Sequence, residues 1–479
     1  METNYDVIVA GAGIAGALAA TAAAQRGAKT LLIDRNYFET AGKKTNWGWV
    51  CGDAVAKAHL DFLHSELGID FDSPELDTKV DGVYAISPDM KNKFLFEGEG
   101  YTLDRPKLAK KIVNMAKKAG AEYLEGHEVE GPILDGNKIT GIFGKDEKKQ
   151  EYKKYCKILI DCLGTASTLR RKLPVNDYIS REVSVDDLES TGRYIMKFDS
   201  KYDDLNYYDP KNALIHLNQV LAPGGYGWVF PKSNHRINVG IGVEKHSLDR
   251  RNAKLGKSDS LHKLIDEYVE WNPVIANRQV DDTDSNGKGY WSVSVRRQQD
   301  SLVYMNYMGA GDSMSMANPI SAGGIGPAMV SGVLAGEIAG EAIRENKISM
   351  EHLWKYNTKY NEVYGSKTAA LEIFRVYLQS LNNDLINYGM EHFLTPKEAE
   401  ELSYGRMPEI SMAGKFQKLL SGIANINAFK NLLYTTQKMK LLIDLYKKYP
   451  KEMKDFAPWH NKVVAEMKDF KEKFPANPI

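Results

Sequence analysis

Cysteine is scarce in this sequence, with three residues in 479. So few cysteines in so long a chain do not form a disulfide framework, which favours a reducing compartment. Cys156 and Cys162 flank an apolar run and are predicted to lie in the core, as free cysteines usually do. Cys51 has only His59 and His64 nearby, and neither stands at ligand spacing. Disulfide and metal functions are therefore disfavoured.

Net charge and long apolar runs are also lacking. The chain carries 63 basic and 63 acidic residues, so no overall field attracts nucleic acid and no such partner is expected. The most apolar stretches, such as Ala15 to Ala24, are too short to span a bilayer. The first residues run into a strand with no leader-like segment before it. These absences predict a soluble, cytoplasmic protein.

The clearest motif lies within the first 34 residues. A strand over Tyr5–Ala10 is followed by Gly11, Gly13 and Gly16 on the G-x-G-x-x-G spacing, then by a helix and a second strand ending at Asp34. The first glycine permits a tight turn, the second lets backbone N–H groups approach a pyrophosphate, and the third lets the helix pack closely. The acid, about 20 residues on, is placed to accept hydrogen bonds from a ribose. A dinucleotide is predicted, but NAD and FAD both use this fold.

Two later stretches bear on the choice of cofactor. Residues 155–171 predict a strand, a glycine turn and a helix start, and residues 303–329 predict a strand leading to Gly311-Asp312 and a glycine-rich helix start at Gly324. Their order resembles that of FAD-dependent oxidoreductases of the para-hydroxybenzoate hydroxylase type. In that group the second stretch binds the ribityl, the phosphate and the pyrimidine edge of the flavin. A helix N-terminus there stabilises the negative charge of reduced flavin. FAD is therefore the expected cofactor.

The predicted fold class is α/β (α+β overall), with a Rossmann-type FAD-binding domain, an inserted antiparallel-sheet substrate domain and a helical C-terminal region. Alternating stretches such as RYIMKFD and RINVGIGVE are typical of antiparallel strands with one covered face. The expected boundaries are 1–80, 99–174 and 301–345 for the FAD-binding domain, 81–98 and 175–300 for the sheet domain, and 346–479 for the helical region.

The stretch PGGYGWVFP places three aromatic rings, Tyr226, Trp228 and Phe230, at alternate positions of a predicted strand. Alternate residues of a strand point to one face, so the three rings form one surface. That surface could be the wall of an apolar cavity or ordinary sheet core. Both interpretations remain open from the pattern alone.

PGGYGWVFP and VCGDAV together resemble the geranylgeranyl reductase family, and SAGGIGPAMVSG, the following helical stretch and LIDLYKKYP resemble its long archaeal form. The resemblance covers nearly the whole chain. It implies an FAD-dependent reductase acting on CH–CH groups, which saturates the isoprenoid double bonds of geranylgeranyl chains. For archaeal members it implies di-geranylgeranylglycerol phospholipids as substrates and phytanyl lipids as products.

The resemblance also implies site residues. With the glycine motif included, the expected cofactor contacts are Gly11, Gly13, Ala15, Gly16, Asp34, Gly52, Ala54, Arg105, Val129, Gly311, Asp312, Gly324 and Ile325. Tyr226, Trp228 and Leu378 are expected to line the lipid pocket. Leu378 belongs to an apolar helical stripe with Leu371, Phe374 and Leu381, which could equally be plain core.

An isolated double bond needs both a hydride and a proton, because no carbonyl is present to stabilise an enolate. Cys51 is the candidate proton donor, since a thiol with an ordinary pKa near 8.5 is mostly protonated at neutral pH. Asp53 is expected to be ionised and to cap its own turn.

Two alternative functions remain open from the sequence: a flavin-dependent aromatic monooxygenase and a non-catalytic prenyl-binding escort of the same fold. The expected partners are a geranylgeranyl lipid and an electron donor, which could be a ferredoxin, a reduced deazaflavin or NAD(P)H. From Lys430 onward the chain holds eleven lysines against six acidic residues. Such a segment could rest on an anionic bilayer, as a peripheral contact at the inner face of the membrane, or form a solvated helical face.

Overall fold

A computed structural model of the chain describes residues 5–40, 51–197, 204–275, 279–280, 287–393, 395–406 and 426–476. Residues 45–50, which precede Cys51 in the cysteine-containing stretch, lie outside these ranges. Two sheets and a helical C-terminal region make up the described part. The strands within the described ranges are β1 Tyr5–Ala10, β2 Thr30–Ile33, β3 Ala54–Ala56, β4 Leu76–Ile86, β5 Lys93–Leu103, β6 Glu122–Leu124, β7 His127–Asp135, β8 Lys138–Asp146, β9 Glu151–Asp161, β10 Leu188–Lys197, β11 Asn212–His216, β12 Gly227–Lys232, β13 Arg236–Glu244, β14 Gln279–Val280, β15 Lys288–Ser294, β16 Val303–Tyr304 and β17 Tyr307–Gly309.

The helices of the described residues flank both sheets and build the C-terminal region. They are α1 Ile14–Gln25, α2 Lys57–Leu67, α3 Arg105–Lys118, α4 Thr168–Arg171, α5 Lys245–Leu255, α6 Leu261–Trp271, α7 Ile325–Arg344, α8 Met350–Leu353, α9 Lys355–Tyr360, α10 Ser366–Gln379, α11 Asn383–Tyr388, α12 Pro396–Ser403, α13 Ile426–Tyr446 and α14 Phe456–Lys473.

The first sheet has a parallel core in the order β17-β9-β1-β2-β6. Its central strand β1 is almost wholly buried, which explains its near-continuous apolar sequence. Helices α1 and α7 pack on each other through small residues. A side chain at Gly332 or Gly336 of α7 would overlap the backbone of α1, at 2.3 Å from Ala15 O and 2.2 Å from Ala19 O. This close packing brings the loop before α7 beside the glycine motif before α1.

The second sheet follows the order β14-β10-β13-β12-β11-β4-β5-β3, with β15 on the far side of β10. It is antiparallel except for β11 and β4, which pair in parallel. Strands β4 and β5 pair as an antiparallel hairpin that covers residues 76–86 and 93–103, and so begins before the predicted segment 81–98 of the sheet domain and ends after it. Helix α6 covers one face with Leu264, Ile265 and Tyr268, and the other face is turned toward the first sheet. The division into three domains at the boundaries given above stays a prediction.

The described residues from Met350 onward are mostly helical, as the composition of this region indicates. Helix α14 is built into the core, because Phe456, Trp459, Val463 and Phe470 are buried on one face of it. None of the helices in the described ranges combines the length and the apolar character needed to cross a membrane.

Candidate active site

One large cavity, of about 980 Å³, lies between the two sheets and the C-terminal helices. Every predicted site residue lines it except Gly16. Those residues are Gly11, Gly13, Ala15, Asp34, Cys51, Gly52, Ala54, Arg105, Val129, Tyr226, Trp228, Gly311, Asp312, Gly324, Ile325 and Leu378. The tertiary structure therefore brings together residues that are spread over more than three hundred positions of sequence.

The glycine motif forms the turn into α1 at one end of this cavity. Gly11 has a φ of +97°, and an added side chain would lie 2.4 Å from Cys162 O. Gly13 is the N-cap of α1, and a Cβ there would meet nothing within 4 Å. Gly16 faces away from the cavity, where a Cβ would lie 1.7 Å from Gly11 O. Gly16 thus serves the packing of helix on strand, whereas Gly13 leaves open space at a helix N-terminus.

Asp34 directly follows β2, beside the same turn. Its Oδ2 accepts a hydrogen bond from the Ala12 N–H at 2.6 Å, and its Oδ1 accepts one from the Asn36 N–H at 2.7 Å. Burial raises the pKa of this carboxyl, and the two backbone N–H groups oppose that rise. The carboxylate therefore fixes the glycine turn as well as facing the cavity.

A second turn enters the cavity from the loop before α7. Gly311 has a φ of +66°, and its N–H donates to Ser331 Oγ at 3.0 Å. Gly324 is the N-cap of α7, and a Cβ there would come within 3.1 Å of Asp312 Oδ1. Burial raises the pKa of Asp312, while Arg105 lowers it. The N-terminus of a twenty-residue helix thus opens on the cavity next to a carboxyl group.

The turn of Cys51, Gly52 and Asp53 forms another part of the cavity wall. The Asp53 N–H donates to Cys51 Sγ at 3.3 Å, and Asp53 has a φ of +63°. Gly52 packs under the Phe230 ring, where a Cβ would lie 2.6 Å from a ring carbon. The Asn238 side-chain amide donates to Cys51 O at 2.8 Å, which ties the turn to the second sheet. The thiol is half-buried on the cavity wall.

Asp53 is buried among three cations, which sequence reasoning missed. Its carboxylate lies 3.8 Å from Arg105 Nη1, 3.9 Å from Arg193 Nη1 and 4.0 Å from Lys232 Nζ. It also accepts a hydrogen bond from Asn238 Nδ2 at 2.9 Å. The predicted turn-capping role of Asp53 is wrong, because its carboxylate is directed to these side chains. Arginine and asparagine on the covered face of strands β10 and β13 were the available signal.

The three aromatic rings of PGGYGWVFP do line the cavity. The Trp228 ring lies 6.2 Å from Tyr226 and 6.4 Å from Phe230 between centroids. Trp228 Nε1 donates to Asn238 Oδ1 at 3.0 Å, and the Tyr226 hydroxyl donates to the carbonyl of Ser321 in the loop before α7. The Tyr226 and Trp228 rings are therefore held in place by polar contacts at their edges, and both line the cavity, where an apolar ligand can contact them.

Beyond the rings, the cavity continues as an apolar channel toward the C-terminal helices. Phe374, Leu378 and Leu381 line it, but Leu371 is fully buried elsewhere in the core. The stripe therefore divides between the two interpretations that the sequence left open: three of its residues line the cavity and Leu371 is core. Further apolar lining residues come from the second sheet and from α11 and its continuation, and no motif marked them: Val83, Phe94, Phe96, Ile215, Ile386 and Met390.

Comparison with known proteins identifies the family. Residues 6–171 match the family described as FAD dependent oxidoreductase, and residues 187–279 match the geranylgeranyl reductase catalytic domain. The chain is 30% identical to the digeranylgeranylglycerophospholipid reductase of Sulfolobus acidocaldarius over 98% of both chains. This chain belongs to the geranylgeranyl reductase family. The chain is also 28% identical to digeranylgeranylglycerophospholipid reductase 1 of Methanopyrus kandleri, over 75% of this chain and 87% of that protein.

Solved structures agree with this assignment. The crystal structure of a geranylgeranyl bacteriochlorophyll reductase-like protein from Thermoplasma acidophilum superposes with a TM-score of 0.71 at 25% identity, covering 91% of this chain and 99% of the other. The myxobacterial chondrochloren halogenase matches at a TM-score of 0.62 and 17% identity, covering 88% of this chain and 91% of its own, which shows the shared fold alone. The predictions of the fold class, of FAD and of an FAD-dependent oxidoreductase are confirmed. The individual site residues stay predictions.

Proposed function

We propose that this reductase saturates the isoprenoid double bonds of di-geranylgeranylglycerol phospholipids, which gives the phytanyl chains of archaeal membrane lipids. The observation that carries the proposal is the continuity of the cavity. Its glycine-rich end is shaped for a dinucleotide, and it continues without interruption into an apolar channel lined by Trp228, Phe374 and Leu378. The printed name of the Sulfolobus acidocaldarius relative gives the lipid class. Family membership favours this reductase over the monooxygenase and escort alternatives.

The residues at the glycine-rich end fit FAD. Gly13 leaves open space at the N-terminus of α1, where a pyrophosphate is favoured by unpaired N–H groups. Asp34, Gly52, Asp312 and the N-terminus of α7 would hold the ribose and the flavin. Bound FAD, once reduced, supplies the hydride for the double bond. A ferredoxin, a reduced deazaflavin or NAD(P)H is the proposed source of electrons for the next turnover.

The channel prepares the lipid for reduction by excluding water and presenting aromatic faces. When a proton adds to the less substituted carbon of a trisubstituted double bond, positive charge develops at the more substituted carbon. The faces of Tyr226 and Trp228 favour positive charge through their quadrupoles, and a dry cavity strengthens that interaction. These two side chains, with Leu378 deeper in the channel, are proposed to position the isoprenoid chain.

Cys51 is proposed to deliver or relay the proton. Its thiol faces the cavity, and burial raises its pKa above the ordinary value, with Arg105 opposing and Asp53 adding to that rise. The thiol is therefore protonated at neutral pH and available to give up a proton. Its sulfur is also fixed in place by the Asp53 N–H.

Peripheral contact with the membrane is proposed as well, because the substrate is a lipid. Two of the lysines from Lys430 onward, Lys438 and Lys471, are paired within the protein, however. Lys438 pairs with Glu466 at 2.5 Å and Asp469 at 2.8 Å, and Lys471 pairs with Asp187 at 2.7 Å. The net positive charge of that segment is therefore partly neutralised within the protein itself.

Mass spectrometry of a geranylgeranyl lipid incubated with chemically reduced holoenzyme tests the function. We expect products heavier by successive pairs of hydrogens. Cys51→Ala should bind FAD normally but reduce the lipid more slowly, whereas Cys156→Ala serves as the matched control because Cys156 is buried outside the cavity lining. An unchanged lipid mass would contradict the reductase, and a wild-type rate in Cys51→Ala would contradict the role of the thiol alone.

A further inference from the structure

Glu189 is a buried carboxyl group on the cavity wall that no motif marked. It stands near the start of β10, its residue is only 4% exposed, and it lines the same cavity as Tyr226 and Trp228. Its side chain fills space that exists only because position 242 is glycine. A Cβ on Gly242 would lie 2.9 Å from Glu189 Oε2.

Two neighbouring carboxylates are stabilised by hydrogen bonds or an ion pair, whereas Glu189 has neither within the described residues. Glu244, its partner in the β10–β13 register, accepts hydrogen bonds from the His246 and Ser247 N–H groups at 2.8 and 2.7 Å. Asp187 is paired with Arg375 at 2.7 Å. Within the part of the chain that the structure describes, Glu189 has neither a hydrogen bond nor an ion pair. A carboxyl buried to this degree without a partner is strongly disfavoured in its charged form.

The surroundings of Glu189 keep it protonated at neutral pH. Burial raises its pKa to about 8, Arg375 of α10 opposes this, and Glu244 of β13 adds to it. The Arg375 guanidinium is itself engaged by Asp187 and by Gln379 Oε1 at 2.9 Å. From β15 the nearby lining residues are the uncharged Trp291 and Val293.

Glu189 also lies within electrostatic reach of the residues proposed to handle the substrate. The pKa of the Tyr226 hydroxyl is raised first by burial, then by Glu189 and then by Cys51. Tyr226 therefore shares the cavity with two groups that can hold a proton, and the charge of each acts on its hydroxyl. A general acid works best when its pKa is close to the operating pH, and Glu189 meets this condition better than a thiol whose pKa is raised by burial.

We infer that Glu189 is held as a neutral carboxylic acid facing the isoprenoid chain and supplies the proton that each reduction consumes. This inference rests on the proposed function. Of the two roles proposed for Cys51 it keeps the relay: Glu189 gives the proton to carbon, and the Cys51 thiol passes a proton from water toward Glu189. One carbon of the double bond takes a hydride, with its two electrons, from the reduced cofactor. The other carbon forms a C–H bond with the proton released when the O–H bond of Glu189 breaks. The carboxylate then regains a proton from water.

The experiment compares Glu189→Gln with wild type by stopped-flow re-oxidation of the reduced flavin on mixing with geranylgeranyl lipid. Glutamine keeps the shape but cannot release a proton, so we expect the rate to fall by about 100-fold, as for loss of a general acid. The wild-type rate should decline above pH 8, following the titration of Glu189, and this decline should be absent from the residual rate of the variant. Glu244→Gln is the matched control, because Glu244 pairs with Glu189 across β10 and β13 but does not line the cavity. The re-oxidation rate of Glu244→Gln should stay close to that of wild type.

A readout independent of activity is the infrared difference spectrum between wild type and Glu189→Gln. It should contain the carbonyl stretch of a protonated carboxyl at about pH 7 and lose it at about pH 9.5. Glu189→Asp, if it is as well folded as wild type by flavin content and melting temperature, should recover part of the rate. A wild-type rate with an unchanged pH profile in Glu189→Gln, or a carboxylate spectrum at pH 7, would overturn the inference. If wild type itself fails to reduce the lipid, the proposed function fails instead, and the infrared result still decides the protonation of Glu189.

Discussion

The buried carboxylate of Asp53 offers the sharpest test of how the site is held together. Asp53→Asn removes one negative charge but keeps an oxygen that can accept the hydrogen bond from Asn238. Arg105, Arg193 and Lys232 then lose the one carboxylate that lies within 4.0 Å of all three, and Lys232 keeps its contact with Asp77 at 3.4 Å. Repulsion among these cations should destabilise the folded state and loosen the turn that carries Cys51.

The expected loss can be estimated from the geometry. Removing one partner of a buried ion pair costs about 3–5 kcal/mol. The three cation contacts of Asp53 are 3.8–4.0 Å long, beyond hydrogen-bonding distance, so the lower end of about 3 kcal/mol applies. Unfolding entropy of about 2.1 cal/mol/K per residue gives about 1 kcal/mol/K for the chain, and the melting temperature should therefore fall by about 3 °C.

Urea unfolding at 25 °C and thermal melting followed by circular dichroism would measure this loss, and flavin fluorescence would measure FAD affinity. Asp61→Asn is the control, because Asp61 forms an exposed pair with Lys57 and its side chain is 60% exposed. Its change should stay below about 0.5 kcal/mol. If Asp53→Asn is as stable as Asp61→Asn and binds FAD equally well, the three cations do not depend on Asp53 and the reasoning is wrong.

Three further predictions concern packing, pH and the C-terminus. Gly13→Ala should fold normally, because its Cβ meets only open space, but that Cβ would occupy space meant for FAD, so FAD should bind at least about tenfold more weakly in a fluorescence titration. Gly16→Ala should fail to fold in a melting assay, because its Cβ would overlap Gly11 O. The pKa of Glu189 is raised from 4.5 to about 8 in the folded state, so the folded protein binds this proton more tightly than the unfolded chain does. The free energy of unfolding should therefore fall by about 1.4 kcal/mol per pH unit as the pH rises from 4.5 to about 8. Urea unfolding at a series of pH values measures this decline, and the contribution of Glu189 to it should be absent from Glu189→Gln. Truncation after Tyr449 should lower the melting temperature sharply, because it removes the buried face of α14, and an unchanged melting curve would contradict that packing.

Local patterns in the sequence were sufficient to predict the elements that carry the cofactor. The glycine spacing, the apolar strand before it and Asp34 after it predict a strand, a turn and a helix whose geometry is nearly independent of the rest of the chain. The same is true of Gly311-Asp312 and Gly324 before α7. Backbone conformation is decided mostly by neighbours in sequence at such turns, which is why these predictions needed no tertiary information.

Residues whose role depends on distant partners were predicted less well. Asp53 was expected to cap its own turn, but its partners Arg193, Lys232 and Asn238 come from strands more than a hundred residues away. Leu371 belongs to the same helical stripe as Leu378, yet only Leu378 reaches the cavity. Helical periodicity identifies an apolar face, but it does not tell which part of that face meets core and which part meets a cavity.

The sequence by itself determined the dinucleotide-binding turn and the elements around it, because these rest on short motifs with local physical meaning. Its resemblance to known families determined the family and the choice of FAD. Only the tertiary structure decided the electrostatics of the site. It placed three cations around Asp53 and left Glu189 buried without a partner in the described residues. The reason is that desolvation and charge pairing depend on what surrounds a side chain in space, and strands β10, β12 and β13 come together only when the sheet forms.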